Sequence, residues 1–506
     1  MKRAVKITAL ILAFILPFAT FFVMDAMGNE VYDQTYYVAL QKQYDRLRAV
    51  NEEKVVLVGC SNVAFGIDSQ LFEQHFGKPL VNVGLYGAFG SKAMLDLSKA
   101  NLNRGDTVVI ALEYEPMAYS LSYGAESMWK AVDGRWNMFF DLGFDNAESL
   151  AGTYFDYVAT KFQYAKDDFV FEPEGIYSNS SVNEYGEIYT DKDLRPYNVM
   201  ALGYQAQDLI YQYDRIGQNF IDYINDYVSY CAMRGVTVYF SFSPLNKMAK
   251  EKAEISDEHL LQFASDLVKQ LKCTVISNPL DYVYDYLYFY DTNFHLNDSG
   301  VALRTVQLVR DLQFAQGEIP TAVLPDVEAP ARQQLSLDDL IARHEMDVNL
   351  ETTPLDMFVL EQDELTGFYS IVGVTDQAKQ LQEIVVPVID LEQGIYITKI
   401  AENAFWGCNN LQVLTIPAGI TEIQRGAFNG CSNLIAIRML EKTGRYNIPQ
   451  DRGTGSTRND EGMLYGANNN CKIYLVNATW ADYVLESMYG WPSYYDDIVE
   501  GDYVAQ

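Results

Sequence analysis

The hydrophobic pattern of this chain changes character three times. Between residues 54 and 112, short apolar runs alternate with amphipathic ones. Val55–Val58, Leu80–Val83 and Thr107–Leu112 are rich in β-branched residues and of strand length, which suits strands buried on both faces of a parallel sheet. Between them, Ser69–Phe76 and Ser91–Leu102 carry a helical pattern, the latter with Ala93, Met94, Leu97 and Ala100 on one side. The alternation resumes with a helix over Gln218–Arg234, a strand over Val236–Phe242 and a helix capped by Ser256 that runs to Leu271. A strand over Cys273–Ile276 and a last helix over Asp298–Leu312 complete it. Five strands alternating with helices predict an α/β fold, a flavodoxin-like doubly wound parallel sheet. Asp25–Asn51, ahead of the first strand, reads as a stalk and first helix.

Met117–Ile216 breaks the pattern. It is rich in Tyr, Phe, Trp, Asp and Asn with poor periodicity. It reads as an insertion over the sheet edge, either a lid or substrate wall or a subdomain filling its own aromatic core. Aromatic rings beside acids also suit carbohydrate. Gly317–Arg332, with Pro320, Pro325 and Pro330, reads as a linker that the weakly patterned acidic stretch to Glu364 extends.

The third pattern is a repeat. Ile397–Leu411 (ITKIAENAFWGCNNL) returns 23 residues later as Ile420–Leu434 (ITEIQRGAFNGCSNL), apolar position for apolar position. One such coil cannot bury its apolar face alone, so neighbours must stack as a solenoid. Cys408 and Cys431 fall at equivalent places and read as small buried apolar residues rather than a disulfide. Tyr369–Pro387 looks like an opening coil. Lys472–Val499, with Trp480, Tyr483, Trp491 and Tyr495, looks like a closing cap. The expected layout is a signal anchor at 1–28, an α/β domain at 29–316 with its insertion at 117–216, a linker at 317–364, and a repeat domain with cap at 365–506.

Charge narrows the partners. The chain of 506 residues has a net charge of −31. Lys2, Arg3 and Lys6 are the charged residues of the first 24, so the rest carries −34. Such a field repels nucleic acid and anionic headgroups, and no nucleic-acid partner is expected. The 6 cysteines lie far apart without a CxxC pair, and there are 4 histidines, so neither a metal nor a cofactor is expected. The basic start followed by uncharged Ile7–Met24 fits an uncleaved transmembrane anchor. The positive-inside rule would hold the start in the cytoplasm and the bulk of the chain outside the cell membrane.

Candidate chemistry sits where strands end. The first strand closes at Gly59-Cys60-Ser61-Asn62, at the carboxyl edge where open α/β sheets bind ligands. Backbone N–H groups at a helix start there can hold an oxyanion. Tyr290–Asn297 (YDTNFHLN) precedes the last helix on the same edge, so His295 can reach Ser61. A serine nucleophile needs a base within hydrogen-bond reach and a carboxylate to fix the imidazole tautomer. His75, His259 and His344 show no partner pattern and read as surface residues, and alternation aims Cys60 away from the site. Asn183–Glu187 reads as a turn, a solvated one or one that reaches the site.

Two resemblances follow from these motifs. The AF-x-G-C-x-x-L unit resembles the BspA-like leucine-rich repeats of bacterial surface proteins, over roughly residues 365–500, and implies a binding or spacer module outside the cell. Residues 50–315 resemble the SGNH (GDSL-type) hydrolases. That resemblance makes Ser61 the nucleophile, His295 the base and Asp291 the residue that orients it. The Ser61 and Gly84 N–H groups would form the oxyanion hole. The family's third block, Gly-x-Asn-Asp, is absent, and Glu113-Tyr114-Glu115-Pro116 stands in its place. Asn62 or Asn246 is left to supply the missing amide. Asp291 also stands four residues before His295 rather than three. This spacing resembles divergent membrane-anchored SGNH-like proteins of Gram-positive envelopes, including those serving teichoic-acid D-alanylation and glycan O-acetylation. The implied function is an extracytoplasmic acyl esterase or acyltransferase acting on envelope glycan or teichoic acid. The alternative is a surface interaction protein whose repeats bind a protein partner and whose α/β domain is catalytically silent.

Overall fold

The computed structural model describes residues 31–166, 175–189, 208–290, 292–327, 350–362, 367–390, 393–420, 422–440, 462–476, 478, 494 and 497–504. The chain divides into two compact units, 1–333 and 334–506.

In the first unit, β1 (Val55–Gly59), β2 (Leu80–Val83), β3 (Thr107–Leu112), β4 (Thr237–Phe242) and β5 (Thr274–Val275) form one sheet in the order β2-β1-β3-β4-β5. All pairings are parallel. This is the strand order of a doubly wound sheet, whose switch point lies between the first and third strands. The apolar runs at 55–58, 80–83 and 107–112 are buried throughout, as strands covered on both faces must be. Val55, Leu57, Leu80, Val109, Phe72, Val309 and Leu312 belong to one core cluster.

Among the helices are α1 (Val38–Ala49), α2 (Ser61–Ala64), α3 (Ser69–Phe76), α4 (Ser91–Ser98), α5 (Gln218–Met233), α6 (Asp257–Gln270) and α7 (Asp298–Ala315). α3 begins at Asp68, whose carboxylate accepts the Leu71 N–H, and ends on Gly77 with φ 76°, a left-handed stop that favours glycine. Ser256 caps α6 as expected. His259 completes the capping box by accepting the Ser256 N–H on Nδ1.

Several expectations need correction. The stretch read as a stalk is packed from residue 31 onward, with Tyr32, Tyr36, Tyr37, Leu40, Tyr44 and Leu47 buried. Within α1, Leu40, Tyr44 and Leu47 recur at helical spacing and are buried, and Tyr32, Tyr36 and Tyr37 are buried ahead of it. α4 ends at Ser98 and tightens into a 3₁₀ turn over Lys99–Asn101. The insertion packs in two different ways. Trp129 stacks between Phe139 and Tyr157 at 5.3 and 5.1 Å, an aromatic core of its own. Residues 175–189 instead lie against α2, where Tyr177 meets Phe65 and the Ile188 N–H bonds the Ala64 carbonyl. Residues 1–30, on which the expected anchor falls, lie outside the described residues. Among the described residues no helix is long and apolar enough to cross a membrane.

The second unit is a parallel ladder. β8 (Glu383–Val385), β10 (Val413–Ile416), β11 (Ala436–Met439), β12 (Lys472–Leu475) and β13 (Ile498–Glu500) pair in that order. A second sheet joins β6 (Phe358–Gln362), β7 (Tyr369–Val374) and β9 (Ile395–Ile400). β6 pairs antiparallel with β7, so folded structure reaches into the stretch read as linker. Equivalent repeat positions stack: the Phe405 and Phe428 rings lie 5.8 Å apart, and the Phe405 N–H bonds the Ala427 carbonyl. Cys408 and Cys431 are buried free thiols, and the Cys431 thiol donates to the Phe405 carbonyl at 3.3 Å. Trp480, Tyr483, Trp491 and Tyr495 of the expected cap lie outside the described residues.

Candidate functional site

β1 and β3 are neighbours in register, Gly59 opposite Ala111. The residues that follow the two strands therefore leave the sheet side by side at its carboxyl edge. The chain turns tightly there: a Cβ on Gly59 would lie 2.5 Å from the Ala111 carbonyl, and one on Gly84 would lie 2.4 Å from the Gly59 carbonyl. Backbone approach this close admits only glycine. Ser61 opens α2 directly after the turn and is buried.

The Ser61 hydroxyl donates to Glu113 Oε1 at 2.7 Å, and the Asn62 N–H donates to the same oxygen at 2.5 Å. Glu113 is 1% exposed. Burial pushes its carboxyl above the ordinary range, opposed by the charges of His295 and Arg304 and by the bonds from Ser61 and Asn62. Burial also raises the neighbouring Cys60 thiol. Cys60 Sγ lies 3.9 Å from Ser91 Oγ.

His295 is buried, its ring stacked on Phe65 at 3.9 Å with the planes 5° apart. The His295 backbone N–H donates to Thr292 Oγ1 at 3.0 Å, and Asn297 caps α7 by accepting the Gly300 N–H. The loop is thereby fixed at both ends of the histidine. Asp291 lies outside the described residues. Arg304, 1% exposed, donates to the Asn62 and Gly66 carbonyls at 2.6 and 3.0 Å and ties α7 to the turn after β1. Burial pulls its guanidinium down to about 10.

The expected oxyanion donors are placed differently. Asn62 Nδ2 is spent on the Ala111 carbonyl, while its Oδ1 accepts the Cys60 N–H and closes the turn. The Gly84 N–H is donated to Gln43 Oε1 at 3.0 Å, and Gln43 Nε2 returns bonds to the Gly84 and Gly186 carbonyls. A fully buried glutamine must find partners for both ends of its amide, and β2 under α1 supplies them. Asn246 caps the short helix Lys247–Lys252 with its Oδ1, and its Nδ2 is buried without a partner among the described residues. The Asn246 N–H bonds the Asn293 carbonyl, which sets it beside the histidine loop. The Asn183–Glu187 turn is pinned at Glu187, whose Oε1 accepts from Ser69 and Asn82.

Gln43, Glu113 and Arg304 escape a motif search because none belongs to a motif. Two left a trace. Gln43 stands inside the apolar stripe of Leu40, Tyr44 and Leu47, and Glu113 directly follows a wholly apolar strand.

The family model for the BspA type leucine rich repeat region matches residues 382–448, in 6 copies. Among solved structures, the chain is similar to a leucine-rich-repeat protein of T. pallidum at 23% identity, with a TM-score of 0.15. That match covers 17% of this chain and 43% of the other, so the chain spans less than half the length of that protein. No curated protein matches. The second unit thus carries BspA-type leucine-rich repeats, which suggest a protein-interaction or binding module.

Proposed function

We propose that the chain joins a binding module to an acyl-transfer enzyme of SGNH type, an O-acyl esterase or acyltransferase acting on cell-envelope glycan or teichoic acid. Ser61 is the nucleophile, His295 belongs to its site, and residues 7–24 anchor the protein with both units outside the membrane. The observation that carries this reading is the buried hydroxyl of Ser61 at the carboxyl end of β1, in hydrogen-bond reach of a carboxylate. An active serine needs such a proton acceptor. Asn246 Nδ2 is the amide in reserve for the oxyanion. The resemblance to divergent membrane-anchored SGNH-like proteins of Gram-positive envelopes supplies the substrate class.

A second reading has its own support: the Gly84 and Asn62 N–H groups are both occupied by side chains of the chain itself. In that reading the α/β unit is a silent scaffold and the repeats bind a protein partner. Hydrolysis of p-nitrophenyl acetate by the full chain and its Ser61→Ala variant separates the two. Turnover that falls at least a hundredfold in the variant is the expected result. Equal turnover in both proteins, with no fluorophosphonate labelling of Ser61, would establish the scaffold.

A further inference from the structure

We infer that Glu113, rather than His295, is the general base that deprotonates Ser61. The inference rests on the acyl-transfer reading above and assigns its proton acceptor. A base must lie within about 2.6–3.2 Å of the atom it deprotonates. Glu113 Oε1 lies 2.7 Å from Ser61 Oγ. The same oxygen is aimed by the Asn62 N–H from the nucleophile's own helix, the third group that orients a base in such sites. β3 delivers the carboxylate to this position by register alone.

The groups facing Glu113 come from every element around it. His295 from the loop before α7 and Arg304 from α7 favour its ionised form. Cys60 lies on the β1 side. Glu115 flanks Gly87 together with Glu113, their carboxylates within 3.1 and 3.9 Å of the place a Cβ would take. Burial leaves the carboxyl above its ordinary range, and His295 and Arg304 pull it back toward the ionised form. Ionisation is the form a base requires.

The step balances. As Ser61 Oγ forms its bond to the acyl carbon of an ester, its proton passes to Glu113 Oε1. As the ester C–O bond breaks, Glu113 returns that proton to the leaving alkoxide. Water, or an acceptor hydroxyl, then repeats the sequence: its proton goes to Glu113, its oxygen takes the acyl carbon, and Ser61 Oγ leaves with the proton. His295 lowers the Glu113 carboxyl from the loop before α7, so its part is positioning and poise.

The test is the rate at which a fluorophosphonate probe labels Ser61 in the full chain between pH 4 and 9, with thermal melting run on every variant. Glu113→Gln is expected to slow labelling by roughly 10²–10⁴-fold, the range a general base supplies. Glu113→Asp retains a carboxylate and should fall between Glu113→Gln and the wild type. His295→Asn should move the acid limb of the profile to higher pH while its plateau stays within about tenfold. Labelling of Glu113→Gln at the wild-type rate or faster would make Glu113 a plug and overturn the inference. Loss of the plateau in His295→Asn would return the role of base to the histidine. Should Glu113→Gln not fold, Glu113→Asp and the His295→Asn profile decide the matter. A wild type that neither labels nor hydrolyses ester would sink the acyl-transfer reading itself, a result distinct from all of these.

Discussion

The described interior of the α/β unit holds charge. Lys54 is paired with Asp106 and Lys161 with Asp133, and Glu113, Glu187, His295 and Arg304 are buried as well. In the described repeat unit, the buried polar residues are Thr353, Thr398, Thr415 and Glu422. One unit spends buried polar groups at both edges of its sheet, Lys54 and Asp106 ahead of β1 and β3 and Glu113 after β3. The other repeats one apolar contact, and its large exposed residues include Trp406 and Tyr465 on the outside of its coils. The contrast teaches where to look: reactivity belongs to an interior that restrains charge, and recognition to a surface presented by a stacked core.

Breaking each interior should expose that difference. The largest loss is expected from Asp106→Ala, which strands the Lys54 ammonium in a site where both side chains are 0% exposed. Removing one partner of a buried pair costs about 3–5 kcal/mol, and the urea midpoint of the α/β unit should fall accordingly. An unchanged midpoint would mean that the pair is solvated in solution. Next comes Leu414→Ala. Leu414 is fully buried in the column Ile384, Leu414, Ile437 and Ile473, each facing the next across the ladder. The cavity should cost the repeat unit about 2–5 kcal/mol and leave esterase activity, where present, untouched. Activity lost along with the repeats would show that the two units depend on one another.

The smallest expected effect is one of pH. Burial raises the Glu187 carboxyl above its ordinary 4.5. A group raised on folding lends stability that is fully present below its unfolded value and lost as pH climbs through the folded one. Wild-type stability should therefore fall relative to Glu187→Gln as pH rises from 4 to 7, because the amide does not titrate. Melting curves at both pH values measure this gap, and a gap that does not move would refute the assignment.

The sheet was legible because its strands announce themselves. Val55–Val58 and Thr107–Leu112 are apolar without interruption, and a strand covered on both faces has no other option. The capping of α6 by Ser256 and the 23-residue period were legible for the same local reason. The site was legible only in part. Ser61 and His295 stand in recognisable surroundings, whereas the partner of Ser61 lies 52 residues away and that of the Gly84 N–H lies 41 away. Arg304 reaches across 242 residues to the Asn62 carbonyl. Pairings like these are decided by strand register and by the need of each buried polar atom for a partner, and neither is written locally. The lid-or-core choice for the insertion was undecidable because one stretch of the composition serves both ends.

The ladder of the repeat unit has a consequence for how such a protein changes over generations. Each rung touches only the rung before and the rung after. Duplication or loss of one 23-residue unit therefore lengthens or shortens the module by a single step of about 4.8 Å. The span of the recognition surface can be edited in whole numbers.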